Sequence, residues 1–289
     1  MVRYSKLAFR ELVRGYAVDV AYTPMVLASV FVASQYARDA EFITLPTDSP
    51  VVLQLAAKNA DEFATAAMLA APFIDGVDVN CGCPQRWAIK ERIGSYLMQR
   101  PDLIADMMST VRRRAPELTR TVKIRVHANV RETVELARQA EAAGAQLITV
   151  HGRTRAMRSS NTSSDPHAIA IVKQSVQVPV VANGDVFTLA DADTLAATTG
   201  ADGIMAARGL LVNPALFAGY DKTPIAAARR YLGLAVRSGT HPFVLHHHIA
   251  YMLESHLAMY ERRRLQMCTS VAALTEWMDD VLGEEEDGE

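Results

Sequence analysis

Short apolar, β-branched runs alternate along the chain with longer runs whose apolar residues return at helical spacing. The short runs are DVAYT (19–23), VVLQL (51–55), GVDVN (76–80), TVKIR (121–125), LITVH (147–151), PVVAN (179–183) and DGIMA (202–206). Each reads as a strand. Between them ADEFATAAMLAAP (60–72), PDLIADMMSTVRRRAP (101–116) and VRETVELARQAEAAG (130–144) read as helices. The last closes on Gly144, a helix stop ahead of the next strand. Leu7, Phe9, Leu12 and Val13 mark an opening, core-facing helix. Near-continuously apolar strands separated by helices predict a parallel sheet with helices outside it.

Seven such strand–helix units in 289 residues point to a (β/α)8 TIM barrel, for which about 250 residues is usual. An eighth strand is missing from the pattern, and the chain opens on MVRYS and a helix as though just after a first strand. The expected fold is therefore a barrel lacking its first strand, which leaves an unpaired sheet edge. Beyond residue 222 the strand pattern stops. The expected organisation is a barrel over residues 1–221, a small all-helical domain over 222–282 and an acidic, disordered tail over 283–289.

Composition adds two things. Half of the residues are hydrophobic, enough for a sizeable core. The net charge is −2, but seven of the 32 acidic residues lie in DDVLGEEEDGE (279–289), leaving 25 acids against 30 bases in the body. A mildly basic body with an acidic tail follows. The three cysteines are too few and too irregular for a disulfide framework, which fits a reducing compartment. The expectation is a cytoplasmic protein, with a nuclear or mitochondrial location left open, no membrane span and a monomeric state.

In a barrel of this kind the active site lies at the C-terminal strand ends. Those ends carry Gln54; Asn80 with Cys81 and Cys83; Lys123 and Arg125; His151 and Arg153; Asn183 and Asp185; and Arg208. Any one of these is most simply a cap or loop residue. Six strands in succession delivering polar groups to one rim make a ligand site the better reading. Gly184 after one strand and Arg208-Gly209 after the next fit the phosphate-binding loops of such barrels. Lys123, flanked by Val122 and Ile124, suits the anionic side of a reduced flavin or a Schiff base. The run His246–His248 falls in a helix, where adjacent side chains diverge, and reads as a polar face; no metal site is expected.

The cysteines of DVNCGCPQ stand one residue apart. A metal site would need partner ligands at suitable spacing, and positions i and i+2 at a strand end seldom reach disulfide geometry. A reactive thiol and simple packing stay open for both on these grounds.

YTPM (22–25), DVNCGCPQ (78–85), KIR (123–125), TVHGRTR (149–155), ANGD (182–185) and ARGLLVNP (207–214) occur in the order and spacing of tRNA-dihydrouridine synthases, and the similarity covers nearly the whole chain. VNCGCPQRWA most resembles the eukaryotic subfamily acting on D-loop positions 20a and 20b. The resemblance implies an FMN-dependent barrel with a helical tRNA-binding domain, NADPH or NADH as reductant, and hydride transfer from the flavin to C6 of a target uracil. It implies that Cys83 protonates C5 and that Cys81 is a packing residue. It implies flavin contacts at Gln54, Lys123, His151, Asn183, Gly184, Asp185, Ala207 and Arg208, with Asn80, Arg125 and Arg153 toward the substrate. In the family a first strand ending in Ala-Pro-Met lines the flavin, and here Met1 coincides with that methionine. A truncated sequence or a variant with weakened FMN binding would each account for this.

The chemistry agrees. A thiol with an ordinary pKa near ~8.5 is mostly protonated at neutral pH and can donate. The uracil must leave its stack to be reached. An RNA partner suits the basic body, with Arg112–Arg114, the Arg153, Arg155 and Arg158 loop, Arg229-Arg230 and Arg262–Arg264 as candidate phosphate contacts. Two other readings stand beside this one: an FMN barrel oxidoreductase acting on a small molecule, and an inactive tRNA-binding relic.

Overall fold

The computed structural model describes residues 3–157 and 162–283. Met1, Arg158 and residues 284–289 of the acidic tail lie outside the described residues. Eight strands form one parallel sheet: β1 Ala21–Tyr22, β2 Val26–Leu27, β3 Val51–Ala56, β4 Gly76–Asn80, β5 Thr119–Arg125, β6 Leu147–His151, β7 Val180–Asn183 and β8 Gly203–Met205. All seven expected strands are present. The eighth, β2, pairs with Leu55 and Ala56 at the far end of β3, on which β1 also pairs, so it prolongs one edge instead of completing a ring. It was missed because YTPM interrupts the apolar run with a proline. Among the described residues no ladder joins β8 back to β1.

Helices follow the strands as expected. Asn59 caps the helix Ala60–Ala70 by accepting from the Glu62 N–H at 2.9 Å. The helix Val130–Ala143 stops at Gly144. No helix among the described residues is long and apolar enough to cross a membrane.

The chain divides into two compact units. The first comprises residues 1–6, 19–186 and 190–206 and holds the sheet. The second comprises residues 7–18, 187–189 and 207–289 and is discontinuous in sequence, since the opening helix Leu7–Arg14 belongs to it. Its remaining helices include Ile225–Arg237, Pro242–Leu253, Met259–Met267 and Val271–Leu282. The core of this second unit stacks Phe9 on His248 at 4.6 Å and sets Tyr231 against the same ring at 4.9 Å. His248 is fully buried, and burial pulls its pKa down to about 3, so it packs there as a neutral ring. The expectation of a polar face for His246–His248 therefore fails at His248. That histidine occupies the inward side of the helix, while His246 Nε2 meets the Leu265 carbonyl oxygen at 2.8 Å.

Within the sheet the two faces differ sharply. Val77, Val79, Val122, Ile124, Ile148, Val150, Val180 and Ala182 are all fully or almost fully buried. The positions alternating with them carry Asp78 and Asn80, then Thr121, Lys123 and Arg125, then Thr149 and His151, then Asn183. A strand period of two puts these polar residues on one side and the apolar residues on the other. The register aligns them into rows: Gln54, Asp78 and Thr121; Asn80, Lys123 and Thr149; Arg125, His151 and Asn183.

Candidate active site

The row nearest the strand centres is built on a buried carboxylate. Asp78 is fully buried, and its two oxygens accept from Thr121 Oγ1 at 2.6 Å and Gln54 Nε2 at 2.9 Å. Burial pushes its pKa up to about 6, against the lowering effect of those two bonds and of the Lys123 charge. Gln54 in turn accepts from Asn80 Nδ2 at 3.0 Å. Asn80 Oδ1 accepts the backbone N–H groups of Cys83 at 2.9 Å and Gly82 at 3.2 Å.

The loop carrying the thiols is thus tied down from below. The Cys83 carbonyl accepts from the Ser95 N–H at 2.9 Å, and its side chain packs on Met25, Ala56, Ala88 and Ile93. The two cysteines occupy different surroundings. Cys81 is wholly buried, and burial, then the Asp78 charge, raises its pKa well above the usual thiol range, so it stays a thiol. Cys83 is only partly buried, and no disulfide forms between them.

Gly94 backs this loop with φ +63°, and a Cβ there would fall 2.7 Å from the Cys83 carbonyl oxygen and 2.9 Å from its Cβ. Gly94→Ala must therefore move the cysteine as well as strain its own backbone. The expected cost is about 1–3 kcal/mol of stability, read as a lowered urea midpoint with unchanged slope. Altered alkylation of Cys83 should accompany it; an unchanged midpoint would contradict the contact.

The upper rows hold the cationic groups. Lys123 Nζ donates to Asn183 Oδ1 at 2.8 Å, and Asn183 Nδ2 donates to the Met205 carbonyl at 2.7 Å. Burial pulls the Lys123 pKa down to about 8; Asp78 opposes this and Arg125 adds to it. Gly184 has φ +137°, and any side chain there would strike Ser164 Oγ and approach His151 Cδ2 to 3.2 Å, so the turn beside His151 admits only glycine.

The two arginines at the rim also bind the loops around it. Arg125 Nε donates to the Gly82 carbonyl at 2.7 Å and Nη1 to the Thr154 carbonyl at 2.9 Å. Arg153 is 2% exposed; its Nη2 donates to both Asp185 oxygens at 2.5–2.6 Å, its Nε donates to the Thr162 carbonyl at 2.6 Å, and its Nη1 lies 3.3 Å from His151 Nε2. Each uses its fork of N–H groups to brace loops around the rim. Asp185, expected at the flavin, is likewise committed to Arg153 and to the Ser164 N–H at 2.9 Å. Arg125, Arg153 and Asp185 thus brace loops around the rim on which they stand.

The structure brings Gln54, Asn80, Cys83, Lys123, His151, Asn183 and Gly184 to one rim of the first unit. Ala207 and Arg208 belong to the second unit, where Arg208 opens the helix Arg208–Val212 and its guanidinium lies 5.2 Å from the Phe187 ring centre. The residue that reading by strand ends missed is Asp78. Its signal was a carboxylate between two valines in GVDVN, as anomalous in a buried strand as Lys123 in TVKIR.

Among the proposed phosphate contacts, Arg114 pairs with Asp61 at 2.8 Å, Arg229 with Asp279 at 2.7 Å and Arg264 with Asp280 at 2.6 Å. Arg262 and Arg263 are exposed on the helix Met259–Met267 beside the exposed Met259 and Tyr260.

The profile of the family described as "Dihydrouridine synthase (Dus)" matches residues 1–278. A mouse protein named tRNA-dihydrouridine(20a/20b) synthase [NAD(P)+]-like is 44% identical over 287 residues, covering 99% of this chain and 88% of its own. A Schizosaccharomyces pombe protein named tRNA-dihydrouridine(20a/20b) synthase [NAD(P)+] is 41% identical, covering 97% and 85%. A solved structure from Burkholderia cenocepacia, titled as a lyase/mutase, superimposes with a TM-score of 0.50 over 92% of this chain and 89% of its own, at 15% identity, which bears on the fold alone. With a family profile spanning almost the whole length, and relatives above 40% identity across it, the chain belongs to the dihydrouridine synthase family.

Proposed function

We propose that the protein reduces the C5–C6 double bond of a uridine in the D-loop of tRNA to dihydrouridine, at position 20a or 20b, with FMN as its flavin and NADPH or NADH as reductant. The observation that carries this reading is the contrast between the two cysteines. Cys83 keeps part of its surface open on a loop anchored to the polar rim, while Cys81 is sealed in the core.

The residues fit a flavin. Lys123, held by Asn183 at 2.8 Å, supplies a positive charge inside the rim, Gln54 supplies a fixed amide, and Gly184 beside His151 leaves backbone where a Cβ has no room. Bound there, FMN would supply the hydride for C6. Cys83 would give its proton to C5, and solvent would reprotonate the thiolate. Arg125, close enough for its charge to couple to Cys83, would stabilise that thiolate. Asn80 orients the Cys83 loop and would face the uracil. Arg262 and Arg263, with Tyr260, would contact the tRNA backbone from the helical region.

The test is direct. The purified chain, saturated with FMN, is given unmodified tRNA and NADPH or NADH, and the digested tRNA is weighed by mass spectrometry. A uridine heavier by two hydrogens at position 20a or 20b is expected. A flavin-loaded, folded protein that leaves every uridine unchanged would refute the reading.

A further inference from the structure

We infer that Asp78 is a positioning residue that sets the orientation of the Cys83 loop through Gln54 and Asn80. The proposal rests on Cys83 being the proton donor, since only then does its placement bear on the reaction.

Donors and acceptors alternate along this chain of side chains. Asn80 Oδ1 meets two backbone N–H groups, those of Gly82 and Cys83, which can only donate. Its amide nitrogen must then point to Gln54, and it does, at 3.0 Å from Oε1. Gln54 is left with its own amide nitrogen facing outward, and that group needs an acceptor. Asp78 provides one at 2.9 Å, while its other oxygen takes the Thr121 hydroxyl at 2.6 Å. The chain of bonds thus runs from donor-only backbone at the thiol loop to an acceptor-only carboxylate in the barrel. Neither amide can flip without setting two donors against each other. All three side chains are buried, at 0% exposure for Asp78, 3% for Gln54 and 8% for Asn80, so water is a poor substitute partner. The Gln54 backbone N–H also donates to Thr23 Oγ1 at 3.0 Å, which fixes the strand that carries the middle link.

Two substitutions separate an acceptor role from a charge role. Asp78→Leu keeps the branched shape of the side chain, though with bulkier methyl groups, and removes both acceptors. Asp78→Asn removes the charge but keeps one oxygen for Gln54, because the Thr121 hydroxyl can turn to accept from the new amide. The readout is the rate at which iodoacetamide alkylates Cys83 in the FMN-saturated protein, followed on the peptide that contains it. Asp78→Leu is expected to change that rate about ten-fold or more, the weight of one buried hydrogen bond, while Asp78→Asn stays within about two-fold. Turnover in Asp78→Leu is expected to fall by a similar factor with KM for tRNA nearly unchanged.

An unchanged alkylation rate in Asp78→Leu overturns the proposal. So does an equal change in both variants, which would assign the effect to charge. If Asp78→Leu fails to fold, Gln54→Met cuts the same chain one link later and should show the same ten-fold change, with an unchanged rate again overturning it. Active Cys83→Ala protein would refute the proton-donor reading on its own, since the alkylation comparison reports loop position whether or not the thiol is the acid.

Discussion

Cys83→Ala is expected to lower dihydrouridine formation by about 10²–10⁴-fold, the usual contribution of a positioned general acid. The loss should fall on the chemical step. No hydrogen bond joins the thiol to the Lys123–Asn183 pair or the Gln54 amide, so the protein should still bind FMN and remain yellow. Its partly exposed side chain packs on one small apolar cluster, so stability should move by no more than about 1 kcal/mol. Single-turnover measurement with pre-reduced protein and unmodified tRNA isolates the step. Cys81→Ala is the control, because its sulfur is sealed in the core and should contribute to packing alone. Comparable turnover by the two variants would sink the division of labour between the cysteines.

Lys123→Met is expected to slow flavin reduction by about 10²-fold, on the scale of removing one fixed charge-stabilising donor from an enclosed site. The reason is electrostatic. Burial pulls the ammonium's pKa down to about 8, with Asp78 opposing and Arg125 adding to the shift. The pH dependence follows with a definite sign. Below about 8 Lys123 is charged and would stabilise the negative charge of a reduced flavin held at this rim. As pH rises through about 8 the charge is lost and the reduction rate should fall.

Stability should move the other way. Between about 8 and the ordinary lysine value of 10.5 the unfolded chain holds the proton and the folded chain does not, so this group makes the fold more stable as pH rises across that window. Opposite trends in activity and stability over the same interval distinguish Lys123 from general alkaline unfolding. Lys123→Arg, whose guanidinium stays protonated, should flatten the activity profile above pH 8. A fall persisting in Lys123→Arg would assign the titration to another group.

The strand pattern was legible because seven of the eight strands lie within short apolar runs bounded by turns, and GVDVN and LITVH have the very limits read from sequence. Helix stops such as Gly144 were legible for the same local reason. Strand β2 was not, since two residues beside a proline carry almost no periodic signal. The rim position of Gln54, Asn80, Lys123, His151 and Asn183 followed from strand ends alone. What those residues do to one another did not. Arg125, Arg153 and Asp185 look like ligand contacts in a linear reading because charged residues at strand ends usually face a site. Folded, Arg153 pairs with Asp185 and Arg125 donates to the Gly82 and Thr154 carbonyls, partners that no local pattern reveals.

The sequence by itself determined the alternation of elements, the rim that bears the chemistry and the family motifs, because each of these is written in short-range spacing. Only the tertiary structure decided which cysteine is open and which is sealed. It also decided that His248 is a core residue and that Asp78 sits at the root of the thiol loop. The last of these depends on partners 24 to 43 positions away in the chain, brought together by strand register, and no local pattern encodes it.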